Sequence, residues 1–287
     1  MAKLIVIGES LIDKIFDKEY VGGAPLNVCC YASKYIHTVF LNMLSEDYMS
    51  KNILNTLVEY NVDTSYIKYD KESSTCYSLV SLDKDNNRHF SFNYKNASFT
   101  KYKSEYIDKN LFQEGDMFYF GSVFFLSENG IESTKKCIQY CKEKSIKIAF
   151  DINYRDKLYP NINQFNLLIE PFLKQINILK VSNEEYPLIF NNLEVEDLFN
   201  VYPNLETIIL TLGDQGACLL TKDKKEYYPS KKVNPVDTTG CGDAFIGTYL
   251  GMLLTNKYEE DEILNKCIDV SSKVATCKGA LLDKGLL

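Results

Sequence analysis

Apolar residues along the chain follow two patterns: short unbroken runs closed by glycine or polar residues, and longer stretches with apolar positions every three or four residues. The run at 4–7, closed by Gly8, reads as a strand buried on both faces. Gly22-Gly23-Ala24-Pro25 follows, and Pro25 suits the first turn of a helix whose spacing continues through 26–36. A strand is predicted at 38–42. Ser45-Glu46-Asp47 then opens a helix with Ile53, Leu54, Leu57 and Val58 on one face. Residues 75–83 and 88–94 are rich in β-formers and joined by the turn-like Lys84-Asp85-Asn86-Asn87. Alternation of His89, Ser91 and Asn93 with Phe90, Phe92 and Tyr94 predicts a hairpin with one wet face. Beyond 115, strands at 117–120, 147–150, 176–181 and 207–211 alternate with helices at 128–144, 164–174 and 184–191. A β-rich pair at 217–221 and 226–228 precedes two closing helices, 241–255 and 259–277. Regular β/α alternation implies a mainly parallel sheet covered on both faces. No repeat or Gly/Ser linker divides the chain, so residues 1–287 read as one α/β domain. The 75–94 hairpin, with a short contribution from 14–21, would form a small β lid outside the main sheet.

The composition narrows the classes. The chain has 287 residues, 45% hydrophobic and 25% charged, which suits a globular core without disulfide staples. Lys plus Arg is 32 against 39 Asp plus Glu, a formal net charge of −7, which argues against a nucleic-acid surface. Nine cysteines form no C-x-x-C pair and only two histidines are present, so a Cys/His zinc site is not expected. The cysteines lie mostly among apolar residues, as in a reducing cytosol. The first apolar run is too short for a signal-peptide core, and the longest later one, 245–254, is broken by Gly247, Thr248 and Gly251. These features point to a cytoplasmic protein with neither membrane nor nucleic-acid partners.

The segment 234–245 carries the strongest chemical signal. Gly240 and Gly242 immediately precede an apolar-periodic helix, an arrangement that turns several backbone N–H groups toward one point at the positive end of the helix dipole. Asp243 in the first turn is favoured as the anion and could accept a proton while those N–H groups hold a transferring phosphoryl group. The same residues also suit an ordinary helix start, with Thr238 or Thr239 as cap and Asp243 as dipole partner.

Asp237-Thr238-Thr239-Gly240-Cys241-Gly242-Asp243 resembles the C-terminal signature of the ribokinase/PfkB family of sugar kinases, D-T-T-G-A-G-D, with Cys241 in place of Ala. Six further segments resemble family motifs in family order. Gly8-Glu9-Ser10-Leu11-Ile12-Asp13 and Gly22-Gly23-Ala24-Pro25 take the forms typical of fructokinases. Asp151-Ile152-Asn153-Tyr154-Arg155, Lys180-Val181-Ser182-Asn183-Glu184-Glu185, Thr211-Leu212-Gly213-Asp214-Gln215-Gly216 and Lys278-Gly279-Ala280 complete the series. The resemblance implies a ribokinase-like three-layer α/β/α sandwich with a small β lid that excludes water, and an ATP-dependent sugar kinase using Mg²⁺. It implies Asp243 as general base and Gly240, Cys241 and Gly242 as anion hole. Asp13, Gly22, Gly23 and Asn27 would hold the sugar. Thr211, Gly213 and Gly216 would line the nucleotide, with Arg155 and Lys180 as cations that either reach the phosphates or sit as solvated or paired surface charges. Ser182 and Glu185 would serve phosphate and, indirectly, magnesium, and Asp237 and Thr239 would sit beside a potassium ion, as in many members of the family.

Fructose is the favoured acceptor. Kinases for 2-keto-3-deoxygluconate, ribose or a nucleoside, and a sugar-binding relative without catalysis, are the alternatives. Ser182 stands where many relatives carry Asn. Cys241 reads either as a tolerated replacement or as a thiol made oxidisable by the helix N-terminus, so that alkylation would stop turnover. Arg88 and His89 on the hairpin read as a solvated edge or as substrate contacts. The eight residues between Asp13 and Gly22 are fewer than is usual for fructokinases, which leaves monomer and homodimer both open.

Overall fold

The computed structural model describes residues 2–15, 17–82, 88–191 and 193–283. Its centre is an eight-stranded sheet. In chain order the strands are β1 (Lys3–Ile7), β4 (His37–Leu41), β9 (Met117–Gly121), β10 (Lys147–Asp151), β11 (Ile178–Ser182), β12 (Thr207–Thr211), β13 (Gly216–Thr221) and β14 (Lys225–Pro229). Their order across the sheet is β14-β13-β12-β11-β10-β9-β1-β4. Every pair from β4 through β12 is parallel, and the pairs β12–β13 and β13–β14 are antiparallel, so β13 runs against the rest of the sheet. All residues of β1 and β9 are buried, which explains their unbroken apolar runs. The order reverses at β1, which has β4 on one side and β9 on the other. In open α/β sheets a crevice forms at such a reversal, beyond the carboxyl ends of the strands.

Helices cover both faces, as the β/α alternation predicts. On one face Ile5, Ile7, Phe118, Phe120 and Phe150 pack with α3 (Glu128–Glu143) and α4 (Ile162–Leu173). Phe120 stacks on Phe150 at 4.7 Å and Phe125 on Phe172 at 4.3 Å. On the other face Leu4, Val6, Tyr119, Ala149 and Ile178 pack with α1 (Ala24–Ala32), α2 (Tyr48–Glu59), α7 (Cys241–Thr255) and α8 (Glu260–Ala275). Asp47 caps α2 by accepting the Ser50 N–H at 2.9 Å. The helix expected over 184–191 shrinks to α5 (Tyr186–Phe190), and α6 (Leu198–Val201) is a single turn. Three 3₁₀ turns occupy 98–111, where no regular element was expected.

A second sheet stands apart, in the order β3-β2-β7-β8, from β2 (Leu11–Ile15), β3 (Lys18–Gly22), β7 (Cys76–Leu82) and β8 (Arg88–Asn93). Residues 11–22 thus supply two of its four strands, more than the short contribution expected. β2 pairs in parallel with β7, Asp13 opposite Ser78, and so depends on a partner remote in sequence. The remaining strands, β5 (Met43–Leu44) and β6 (Lys68–Tyr69), form a short parallel pair. The turn expected at 84–87 and the side chains of Arg88 and His89 lie outside the described residues.

Candidate active site

Parallel pairing brings Glu9 after β1, Asp151 at the end of β10, Ser182 at the end of β11 and Thr211 at the end of β12 to one edge of the sheet. The first turn of α7 lies over this edge, with N–H groups that a helix cannot satisfy from within. Gly240 precedes it with φ +80°, and a Cβ there would lie 2.5 Å from that of Ala280. A side chain is therefore excluded on both counts. Asp237 fixes the loop. One carboxylate oxygen accepts the N–H and hydroxyl of Thr239, at 3.0 and 2.7 Å, and the other accepts the Gly279 N–H at 3.1 Å.

Asp243 is half-buried and meets the N-terminal part of the chain directly, since the Asn27 amide donates to its Oδ2 at 2.7 Å. The contact exists because α1 and α7 cross closely. Gly247, one turn beyond Asp243, would place a Cβ 2.8 Å from the Val28 carbonyl oxygen, and Gly251 one 2.9 Å from the Ala32 Cα. Asp13 accepts the Ser78 hydroxyl and lies against Gly22. Burial raises the Asp13 carboxyl above its ordinary value, and the charges of Asp237 and Asp243 add to this, with Ser78 opposing. Gly23 ends the turn that leads into α1, pressed against the backbone of Glu9 and Ser10.

Beneath the loop lies a buried cation. Lys180 pairs with Asp151 at 2.9 Å, both side chains almost wholly buried. Burial alone would lower its ammonium, but Asp151, Glu185 and Asp243 outweigh that and hold it above the ordinary lysine value. A Cβ at Gly242 would lie 2.9 Å from the Lys180 Nζ, so this glycine leaves room for the ammonium directly under the N–H groups of the loop. Lys180 is thus not solvated; it is paired, with Asp151, as one of its sequence readings allowed, but in the interior.

The remaining expected residues gather beside this cluster, at the ends of β11 and β12. Ser182 faces Thr211 in the sheet, and the Asn183 N–H donates to the Thr211 carbonyl at 2.9 Å. Gly213 and Gly216 form the turn into β13. Glu185 accepts the Tyr154 N–H at 2.6 Å and the Ser182 N–H at 2.9 Å, and the Ser182 hydroxyl accepts the Glu185 N–H at 3.2 Å. Ser182 and Glu185 thus close their loop reciprocally without an Asn. Arg155 is exposed, and its nearest partner is the Tyr154 carbonyl at 3.4 Å. Its charge nevertheless reaches Glu9 and Asp13.

Of the two readings of Cys241, burial favours the tolerated replacement. The Cys241 thiol does not fall with the helix dipole; burial, reinforced by the charges of Asp243 and Asp237, pushes it up to about 12. Two buried acids, Glu9 and Asp151, lie within motifs visible in the sequence but carried no expected role there. Their signal is an acid at the carboxyl end of an otherwise apolar strand. Among the described residues no group of three or more His, Cys, Asp or Glu is placed to hold a metal ion, and no helix is long and apolar enough to cross a membrane.

The pfkB family carbohydrate kinase model matches residues 1–282. The chain is 28% identical over 271 residues to probable fructokinase-2 of Arabidopsis thaliana, covering 91% of this chain and 82% of that protein. It is 30% identical over 250 residues to fructokinase-2 of Zea mays, covering 85% and 73%. In structure it is similar to fructokinase from Vibrio cholerae O395 in its fructose, ADP and calcium ion bound form, with TM-score 0.86, 24% identity and coverage of 98% and 94%. It also resembles aminoimidazole riboside kinase from Salmonella enterica complexed with aminoimidazole riboside and an ATP analog, with TM-score 0.84, 23% identity and coverage of 99% and 96%.

Proposed function

The chain belongs to the pfkB family of carbohydrate kinases, and from that premise we propose that it transfers the γ-phosphoryl group of ATP to a hydroxyl of fructose. The observation that carries the reading is the hydrogen bond from Asn27 to Asp243, which joins the sugar-side turn to the anion-binding loop. With Oδ2 engaged by the amide, Oδ1 of Asp243 is the oxygen for the acceptor hydroxyl, whose proton it takes as general base. Asp13, Gly22, Gly23 and Asn27 line the place of the sugar. The N–H groups of Gly240, Cys241 and Gly242, with the Lys180 ammonium behind them, bear the negative charge of the transferring phosphoryl group. Thr211, Gly213 and Gly216 bind the nucleotide, and Arg155 stands at the rim. The second sheet serves as the lid, keeping water from competing with the sugar. The fructokinase relatives supply the choice of acceptor.

Magnesium fits this site as a guest of the nucleotide. Both Glu185 oxygens are taken by backbone N–H groups, so Glu185 shapes the phosphate loop and any metal contact from it is indirect. Mg²⁺ characteristically keeps waters and binds through substrate phosphates; when bound, it neutralises charge on the β- and γ-phosphates. Asp237 and Thr239 would hold a monovalent cation such as K⁺, offsetting carboxylate charge near the nucleotide. Seven buried cysteines, packed as small apolar residues, support a cytosolic setting.

The test is ADP formation by purified protein with ATP and Mg²⁺ across fructose, ribose, 2-keto-3-deoxygluconate and nucleosides. Fructose should be the best acceptor, and Asp243→Asn should lower kcat by about 10²–10⁴. Preference for a nucleoside overturns the acceptor assignment, and full activity in Asp243→Asn overturns the general base.

A further inference from the structure

The second sheet carries a side chain with no part in the proposed reaction. Tyr20 on β3 stands directly opposite Asp13 on β2 in antiparallel register, so both side chains project from the same face of that sheet. Asp13 lines the place of the sugar. The Tyr20 ring reaches Gly279 instead. A Cβ there would lie 2.7 Å from the ring's Cδ1 and 3.2 Å from its Cγ, so the ring rests on bare backbone in the C-terminal segment 278–282. That segment supports the anion-binding loop at two points. The Gly279 N–H donates to Asp237, whose other carboxylate oxygen holds Thr239. Ala280 packs against Gly240, where a Cβ would come within 2.5 Å of the Ala280 Cβ. Resting on the kinase reading, we infer that Tyr20 is a positioning residue: its ring transmits the seating of the sugar at Asp13 to the anion-binding loop, so that sugar and nucleotide strengthen each other's binding.

Other contacts already hold the C-terminal segment in place. The Tyr31 hydroxyl on α1 donates to the Ala280 carbonyl at 2.8 Å and accepts the Leu282 N–H at 3.2 Å, and the Tyr60 hydroxyl, just after α2, donates to the Leu282 carbonyl. Both tyrosines are buried among the helices that cover the main sheet. Tyr20 differs because its backbone belongs to the second sheet, beside the residue that meets the sugar. A sugar held between Asp13 on that sheet and Asn27 on α1 fixes the one against the other. Gly279 has no side chain to yield, so a shift of β3 bears directly on the backbone, and the next contacts in line are those of Asp237 and Gly240. Coupling of this kind is reciprocal: the factor by which the sugar tightens the nucleotide is the factor by which the nucleotide tightens the sugar.

The experiment measures that factor. The Kd of the best acceptor sugar, fructose as proposed, is determined by calorimetry alone and with a saturating non-hydrolysable β,γ-imido analogue of ATP and Mg²⁺. The proteins are the unsubstituted chain, Tyr20→Phe and Tyr20→Ala, with melting temperatures taken in parallel. In the unsubstituted protein the analogue should tighten the sugar by about fivefold or more. Tyr20→Phe, which keeps the ring, should retain the factor, and Tyr20→Ala should bring it to within about twofold of unity. Tyr20→Thr keeps strand propensity without a ring; it should behave as the alanine variant does, and it carries the test should alanine fail to fold. A ringless variant with the full factor overturns the inference, and so does an active unsubstituted protein without coupling; both leave the kinase reading intact. A ringless variant that melts lower and binds both ligands more weakly, with the factor unchanged, overturns it in favour of a purely structural role. Loss of the factor in Tyr20→Phe overturns the assignment to the ring. Absence of sugar-dependent ADP formation by the unsubstituted protein overturns the kinase reading, and the inference with it.

Discussion

Replacing Gly247 by alanine tests whether the close crossing of α1 and α7 builds the Asn27–Asp243 contact on which the proposed reaction depends. The added methyl would lie 2.8 Å from the Val28 carbonyl oxygen, 2.9 Å from the Tyr31 Cβ and 3.1 Å from the Val28 Cα. Two of those three atoms are backbone, so the helices themselves must separate, by about half an ångström to reach ordinary contact. Alanine recovers about 1 kcal/mol of helix propensity, and overpacking costs about 1–3 kcal/mol. The net destabilisation is then about 0–2 kcal/mol, a fall in melting temperature of roughly 0–4 °C for a chain of this size. Activity should suffer more. The same displacement stretches the 2.7 Å bond from Asn27 to Asp243 to the edge of hydrogen bonding. Since a 1 Å misplacement costs about 10²-fold in rate, half of that costs about tenfold. The assays are thermal unfolding and steady-state kinetics of Gly247→Ala, alone and combined with Asn27→Ala. The double variant should be little slower than Asn27→Ala, because both substitutions act through one contact. A Gly247→Ala protein with unchanged kcat and a raised melting temperature refutes the reasoning, and so does full additivity of the two rate losses.

Further outcomes follow from the buried charges. Lys180→Met strands Asp151 without its partner and should destabilise by about 3–5 kcal/mol, whereas Lys180→Met with Asp151→Leu should restore stability in thermal unfolding but not activity. With its thiol near 12, Cys241 should be about one part in ten thousand ionised at pH 8, so mass spectrometry should find it among the slowest accessible thiols toward iodoacetamide. Cys241→Ala should retain kcat within about twofold; a tenfold loss shows that the sulfur does more than fill space.

The parallel core and its helices were legible because their signals are local. β1 is an unbroken apolar run between polar ends, and α3 shows one apolar face, so each element advertises its surroundings. The second sheet was only half legible. β7 and β8 announce themselves by alternation, but Leu11–Ile15 becomes a strand only when Cys76–Leu82 lies beside it, and no local pattern reports a partner so distant. The residues of the candidate site stand in motifs that the sequence shows, and their electrostatics do not appear there. Cys241 sits at a helix N-terminus, as the sequence says; the burial and the two carboxylates that oppose acidification of its thiol come from the fold. Glu9 and Asp151 went unassigned for the same reason: in sequence they are acids after apolar runs, and only the sheet brings both to one edge.

The bond between Asn27 and Asp243 also has a history in time. Its two ends are 216 residues apart, and the Tyr31 hydroxyl on the same helix donates to the Ala280 carbonyl at 2.8 Å and accepts the Leu282 N–H at 3.2 Å, spans of 249 and 251 residues. On a ribosome, α1 emerges long before α7. At about 5–20 residues per second it waits roughly ten to forty seconds for the helix that covers Val28, Tyr31 and Ala32. During that interval α1 can pack on β1, β4, β9 and α2 but its α7-facing side stays uncovered, and neither Asp243 nor the loop before it has been synthesised. α7 thus brings Asp243 and covers the exposed side of α1 in one event, so a nascent chain stalled before residue 237 lacks the proposed base and leaves that apolar side open.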